Sequence, residues 1–379
     1  MGTADRAGSR AGREGGAAGQ QAPAADAVQL LTPDGRRVTH PDYDIALTPG
    51  ELRSLYRDMV LARRVDAEGV TLQRQGELGL WPSLLGQEAA QVGSARALHD
   101  SDHVFPSYRD HGVALCRDVD PLKLLAMFRG VNNGGWDPVE KNFHLYTLVI
   151  GSQALHATGY AMGVAKDGAQ TGVIAYFGDG ATSQGDVSEA FNFAAVYNAP
   201  VVFYCQNNQW AISEPTEKQS RVPIHRRAAG FGFPGVRVDG NDVLACLAVT
   251  RAALARARSG GGPTLVEAYT YRMGAHTTSD DPTKYRDPAE VEEWAGRDPI
   301  ARLKTHLLDN GWAGQPFLDE ADREGEALAQ RLRAQVRSMP SPPTEAIFEH
   351  VYAGPHALVD EERAEFGRYE ATFAAPGGK

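Results

Sequence analysis

Long hydrophobic runs are missing from this sequence. No stretch approaches the roughly 18–20 apolar residues that cross a bilayer, so a membrane-spanning protein is not expected and a cytoplasmic one is. Cysteine is scarce: Cys116, Cys205 and Cys246 are far apart, odd in number and without C-x-x-C or metal-ligand spacing. A disulfide framework and a zinc site are thereby disfavoured, and buried thiols in a reducing compartment are expected. An excess of positive charge is missing too. The 38 Lys and Arg are outnumbered by 48 Asp and Glu, and a net charge of −10 argues against a surface built for nucleic acid or anionic lipid. Large apolar side chains are nearly absent from residues 1–26, "MGTADRAGSRAGREGGAAGQQAPAAD". Such a segment cannot offset its ordering entropy by burial and reads as a disordered tail. Its three arginines are cancelled by Asp5, Glu14 and Asp26, and it has no apolar h-region, so a transit or signal peptide is not expected.

What is present is ordinary globular material: 379 residues, 42% hydrophobic and 23% charged, enough for a large core. Residues 27–379 are expected to form one domain with a helical segment over about 48–100 and a helical region over about 288–373. Thr48, followed by Pro49 and by Glu51, reads as a capping box, and apolar residues then recur at three and four. Residues 83–98 read as a second helix, 103–116 as a loop leading into another, and "NNGGW" (132–136) as a loop. Short β-branched and aromatic runs at 171–178, 200–206, 235–240 and 263–272 alternate with helical stretches at 185–198 and 242–261. That alternation predicts an α/β fold, a parallel sheet with helices on both faces. Ligands in such sheets sit at the carboxyl ends of the strands.

Two motifs fall at those ends. Gly178-Asp179-Gly180 closes one strand and precedes a helix whose first turn is expected to hold Thr182 and Ser183. Glycines let the backbone approach an anion, and free N–H groups at a helix start favour phosphate. A carboxylate among phosphate oxygens requires a cation, and Mg²⁺ takes carboxylate, amide and backbone oxygens. Asn207-Asn208 ends the next strand and offers the amide oxygen. A GDG alone is more often a plain turn. With both halves one strand–helix–strand unit apart, the metal–phosphate reading prevails.

This pairing resembles the thiamin diphosphate motif. With "YRDHG" (108–112), "NNQWAISEPTEKQ" (207–219), "VRVDGNDVLA" (236–245) and "GPTLVEAYTYRMGAHTTSDDPTKYR" (262–286), residues 48–370 resemble one family. It is the alpha subunit of the heterotetrameric 2-oxoacid dehydrogenase component of branched-chain and pyruvate dehydrogenase complexes. The resemblance implies thiamin diphosphate with Mg²⁺ held by Asp179, Asn208 and the main-chain carbonyl of Trp210. It implies diphosphate contacts from Tyr108 and Arg109 and a backbone cradle from Gly178, Gly180 and Ala181. Leu148 and Ile150 would touch the aminopyrimidine, with Ile150 wedged under the bent cofactor. His276 would serve acyl transfer, as an imidazole titrating near neutrality suits. Arg272, Tyr285 and Arg286 would order the loop that carries it.

The implied reaction is decarboxylation of a small 2-oxo acid and passage of the acyl group to lipoyl-lysine of an acyltransferase core. Branched-chain acids are favoured over pyruvate through "LQRQGELGLW" and "NNQWAISEPT"; acetoin is a more remote alternative. The glutamate that activates the aminopyrimidine has no match here. In that family it comes from the beta subunit, so a complex of two alpha and two beta chains is expected. A degenerate, non-catalytic subunit and a self-sufficient transketolase-like enzyme are the other readings. Three positions depart from the pattern. Gln206 stands where branched-chain relatives often carry Arg, Thr277 stands where animal relatives carry a phosphorylated serine, and Leu80, with Trp81 and Ser107, lies in a substrate pocket that varies.

Overall fold

The computed structural model describes residues 26–373. Of the tail expected over 1–26 only Asp26 is included, and the rest of that expectation lies outside the described residues. In chain order the strands are β1 (His103–Phe105), β2 (Val173–Gly178) and β3 (Val201–Asn207), then a short hairpin of β4 (Trp210–Ala211) and β5 (Glu214–Pro215), then β6 (Gly235–Asp239) and β7 (Thr264–Tyr269). Five of them form one parallel sheet in the order β1-β2-β3-β7-β6.

The uniform apolar character of the central strands follows from burial on both faces. Successive side chains of a strand point to opposite sides. Ile174, Tyr176, Val202 and Tyr204 therefore enter a core shared with the helices Pro49–Arg74, Glu88–Ala95 and Val243–Arg258. Val173, Ala175, Phe177, Val201, Phe203 and Cys205 enter a second core under the helices Ser152–Lys166 and Gly185–Val196. The expected capping box forms at Thr48: the Glu51 N–H donates to its hydroxyl at 3.2 Å, and its own N–H donates to Glu51 Oε2 at 2.7 Å. The open edge of β6 is covered by the segment around Val28–Leu31. Asp242, the cap of Val243–Arg258, also accepts from the N–H groups of Leu30 (2.6 Å) and Leu31 (2.5 Å).

Three elements differ from expectation. His103–Phe105 is an edge strand rather than loop, because three residues give no readable period. Ser152–Lys166 is a full helix that no motif announced; its Ala and Gly residues supply little hydrophobic contrast. After Gly178 the chain makes a 3₁₀ turn over Asp179–Ser183, and the α-helix begins only at Gly185. Thr182 and Ser183 thus lie in a tight turn, not in a helical first turn.

The carboxyl ends of β2, β3 and β7 lie side by side, with Gly178 opposite Gln206 and Asn207 opposite Tyr269. Glu267, buried in the middle of β7, ties the end of β3 to the turn at Ile224–Arg226. One of its oxygens accepts from the Asn207 amide at 2.7 Å, and the other accepts from the backbone N–H and ring Nδ1–H of His225 at 3.0 and 2.8 Å. Burial pushes this carboxyl up, yet the His225 donors and the Arg237 charge outweigh it and hold it below its ordinary value. Glu267→Ala strands these partners in the interior. We expect it to cost about 3 kcal/mol in urea unfolding, and a loss under about 0.5 kcal/mol would contradict the assignment.

Candidate active site

A cavity with about 860 Å³ of empty space, partly open to solvent, lies at the carboxyl edge of the sheet. Its floor is Gly178–Ala181 after β2, and Gln206 and Asn208 at the end of β3. Its walls come from the Trp210–Ile212 hairpin, from Ser107–Arg109, from Thr147, Ile150, Gly151 and Gln153, from Gln87 and from His276. The hairpin is held in an uncommon conformation. Gln209 and Ile212 have φ of 72° and 55°, which is strained for a side chain branched at Cβ such as that of Ile212. Hydrogen bonds from Gln209 to the Thr270 carbonyl and from Arg272 to the Ile212 carbonyl hold that backbone in place.

Asp179 is 1% exposed, and no Lys or Arg among the described residues forms an ion pair with it. Its Oδ2 accepts from the Thr216 hydroxyl (2.9 Å) and the Gln219 amide (3.1 Å). Burial pushes its carboxyl above the usual range. A buried carboxylate short of positive charge is a cation ligand in waiting. Asn208 stands beside it at the end of β3, its Oδ1 accepting the Trp210 N–H at 3.2 Å and its Nδ2 donating to Gln87 Oε1 at 3.2 Å. The Trp210 carbonyl accepts one N–H from Arg272 at 2.8 Å, which leaves one lone pair for a further partner. Two polar atoms on the cavity-lining residues, Gln87 Nε2 and Gln153 Oε1, are buried without a hydrogen bond. Such atoms are rare in native interiors and mark where a polar ligand completes the wall.

On the opposite wall the charge is positive. Arg109, 6% exposed, donates to the Ser83 carbonyl (2.6 Å) and the His276 carbonyl (2.9 Å) and forms no ion pair among the described residues. Arg272, fully buried behind the cavity lining, donates to the carbonyls of Trp210 and Ile212 and to the Tyr285 hydroxyl. Burial, with Arg109 nearby, pushes it down to about 10, still charged at neutral pH. His276 Nδ1 lies 3.2 Å from Arg109 Nη2 and 3.4 Å from Arg272 Nη1. A guanidinium only donates, so Nδ1 accepts and the ring proton sits on Nε2. Burial and then the two guanidinia push His276 down to about 3.

Most of the expected site residues meet here: Tyr108, Arg109, Ile150, Gly178, Asp179, Gly180, Ala181, Asn208, Trp210 and His276 all line the cavity. Leu148 does not. It lies in an irregular segment where Leu148, Val149 and Ile150 are all exposed, and it is 61% exposed itself. Trp81 is also corrected, being fully buried beneath the site rather than in a pocket, while Leu80 is exposed and outside the cavity. The loop-ordering role of Tyr285 and Arg286 has a geometric counterpart: Tyr285 bridges Arg272 and Asp280, and Arg286 binds the carbonyls of Arg272, Met273 and Gly274. Missed from sequence were Gln87, Gln153, Thr216 and Gln219, neutral polar residues that no spacing rule distinguishes from surface.

Oxygen donors for a hard cation beside nitrogen donors for an anion define an α/β enzyme component that carries a phosphorylated cofactor. More particularly, the chain belongs to the dehydrogenase E1 component family, which it matches over residues 56–345. It is 47% identical to the 3-methyl-2-oxobutanoate dehydrogenase subunit alpha of Mycobacterium tuberculosis, over 90% of this chain and 94% of that one. It is 38% identical to the pyruvate dehydrogenase E1 component subunit alpha of Staphylococcus aureus, over 82% of each chain. To the subunit of the same name from Acholeplasma laidlawii it is also 38% identical, over 88% of this chain and 97% of that one.

The depressed His276 value sets a pH test. In the free chain we expect its ring signals in an NMR titration to stay those of the neutral Nε2–H tautomer from pH 8 down to about pH 4. The unfolded imidazole takes up its proton near pH 6.5, so this residue's contribution to stability is lost as pH falls below that value. A midpoint near 6.5 in the folded chain would contradict the arginine–histidine geometry.

Proposed function

We propose that this chain is the alpha subunit of a branched-chain 2-oxoacid dehydrogenase. It would act in oxidative decarboxylation of branched-chain 2-oxo acids with transfer of the acyl group to lipoyl-lysine of an acyltransferase component. The observation that carries the substrate reading is near-full-length identity of 47% to the mycobacterial 3-methyl-2-oxobutanoate subunit, against 38% to the pyruvate subunits. Residues 27–379 act as one thiamin-diphosphate-binding domain.

The cavity's chemistry supports thiamin diphosphate with Mg²⁺. Asp179, Asn208 and the Trp210 carbonyl would hold the metal, an all-oxygen set suited to a hard cation. Among the described residues no cluster of three His, Cys, Asp or Glu competes as a metal site. Arg109, with Tyr108 beside it, and the backbone of Gly178–Ala181 would hold the diphosphate. Gly178 has no other atom within 4 Å of the place a Cβ would take, so the space there is free for a ligand. At Gly180 a Cβ would meet Ala211 at 2.7 Å, so this glycine serves chain packing. Gln87 Nε2 and Gln153 Oε1 would gain partners. When bound, thiamin diphosphate supplies the nucleophilic carbon and electron sink that decarboxylation of a 2-oxo acid requires.

This chain's residues bind, orient and manage protons around that group. Ile150 offers a bulky apolar support for the cofactor. Burial and then the guanidinium charges keep His276 neutral; diphosphate charge beside Arg109 would offset the second of these and so raise the affinity of Nδ1 for a second proton. A neutral Nε2–H can hydrogen-bond the reacting acyl oxygen, and a ring moved toward neutrality can exchange a proton with it. Among the described residues Asp179 is the one acid lining the cavity, and it is assigned to the metal. The carboxylate that must reach the aminopyrimidine therefore belongs to a partner, the beta subunit, in an assembly of two alpha and two beta chains. Exposed Leu148 and Val149, just before the cavity residue Ile150, support a partner covering that rim. No helix of the described chain is long and apolar enough to cross a membrane, and we propose a cytoplasmic location.

The test is turnover of the chain co-purified with its beta partner. With thiamin diphosphate and Mg²⁺ present, kcat/KM for 3-methyl-2-oxobutanoate should exceed that for pyruvate by at least about ten-fold, as differing apolar bulk in a pocket allows. The alpha chain alone should be inactive. Preference for pyruvate would replace the substrate reading, and activity of the lone chain would contradict the shared site.

A further inference from the structure

We infer that Thr278 is a positioning residue that latches the His276 loop onto Trp81, in a place that the buried carboxylate of Asp66 sets. The latch is a pair of hydrogen bonds. The Trp81 N–H donates to the Thr278 hydroxyl at 3.0 Å, and the Thr278 N–H donates to the Trp81 carbonyl at 3.0 Å. Other hydrogen bonds of residues 277–284 among the described residues stay within the loop: Asp280 N–H to the Thr277 carbonyl, Tyr285 hydroxyl to Asp280, Lys284 N–H to the Asp281 carbonyl. The middle of the loop is therefore joined to the body of the chain through Thr278.

Trp81 is a firm place to latch. Its indole N–H donates to Asp66 Oδ1 at 2.8 Å, its ring stacks on that of His111 with centroids 4.2 Å apart, and it is fully buried. It lies flat over Gly69, where a Cβ would come within 2.4 Å of the ring. Asp66 extends the same support along the strip Trp81–Leu85: its Oδ1 also accepts the Leu84 N–H at 3.0 Å, and its Oδ2 accepts the Ser83 hydroxyl at 2.6 Å. It is 3% exposed and pairs with no Lys or Arg among the described residues. A carboxylate taken from water without a counter-charge is retained here against its desolvation cost, and the three donors it collects all belong to this strip. The strip's carbonyls in turn hold both sides of the site. Ser83 accepts from Arg109 Nη1 at 2.6 Å, and Leu85 accepts from the Met273 N–H at 3.1 Å at the base of the loop. One buried carboxylate on the helix Pro49–Arg74 thus sets the register between the Arg109 guanidinium and the His276 loop.

The consequence for the cofactor rests on the proposed function; the latch itself does not. Trypsin digestion of the full-length chain reads the loop directly, because Lys284, 78% exposed at its side chain, offers a cleavage point within it. Under native conditions cleavage tracks how often the loop opens. Thr278→Val, which keeps the shape and removes the hydroxyl acceptor, should raise the cleavage rate about ten-fold. Thr278→Ser should restore the wild-type rate, a rescue that loss of packing alone would not give. Asp66→Asn, with its charge-assisted bonds weakened, should also accelerate cleavage. In the complex with the beta subunit, Thr278→Val should weaken thiamin diphosphate binding about ten-fold by calorimetry, with Thr278→Ser at the wild-type value. A wild-type cleavage rate in Thr278→Val overturns the inference. Absence of cofactor binding in the wild-type complex would instead sink the proposed function and leave the cleavage result to decide the latch.

Discussion

The site is organised around buried charges that form no ion pair among the described residues. Asp179 sits after β2 with hydroxyl and amide donors but no ion-pair partner, while Arg109 in the cavity wall and Arg272 buried behind it are bonded to carbonyls rather than carboxylates among the described residues. Keeping ions of both signs out of water costs several kcal/mol each unless something compensates them. Had the fold let Asp179 meet Arg272, the two would have neutralised one another and left nothing for a ligand. The strained hairpin at Gln209–Ile212 prevents that, placing the carbonyls of Trp210 and Ile212 against the guanidinium. A metal–diphosphate pair, cationic on one side and anionic on the other, is the complement of this arrangement.

The same economy explains why one chain is not enough. The parallel sheet delivers metal ligands and anion donors because strand ends and tight turns present carbonyls, amides and N–H groups there. An acid aimed at the far end of the cofactor would be another unpaired carboxylate in the cavity, and it would draw Arg109 away from its ligand. In the proposed assembly, housing that group in a partner would keep the two halves from neutralising each other before the cofactor joins them. His276 fits the same logic: burial and then the two guanidinia push its proton affinity down, and a ligand's negative charge would offset the guanidinia.

Where the chemistry depended on residue type at a fixed spacing, the sequence was legible. Gly178-Asp179-Gly180 and Asn207-Asn208 predicted neighbouring strand ends, and the register of β2 against β3 places them so. The strands β2, β3, β6 and β7 were visible because both faces are buried, and Thr48 was visible because a capping box is a local device. What stayed hidden depended on tertiary context. Gln87 and Gln153 matter only because the fold leaves one polar atom of each without a partner. Trp81 looked like a pocket residue until Gly69 and Asp66 were seen to hold it beneath the site. The hydrogen-bonded setting of His276 stayed hidden because Arg109 and Arg272 approach it from different elements, one of them far away in sequence.

The central claim is that Asp179 recruits a cation and, through it, an anionic cofactor. Calorimetric titration of the alpha–beta complex with thiamin diphosphate, with and without Mg²⁺, tests it most directly when wild type is set against Asp179→Ala. The wild-type complex should bind tightly only with Mg²⁺, and Asp179→Ala should weaken that binding by at least about a hundred-fold, the scale of losing one carboxylate of a metal site. Equal affinity in the two proteins, or wild-type binding indifferent to Mg²⁺, would contradict the account.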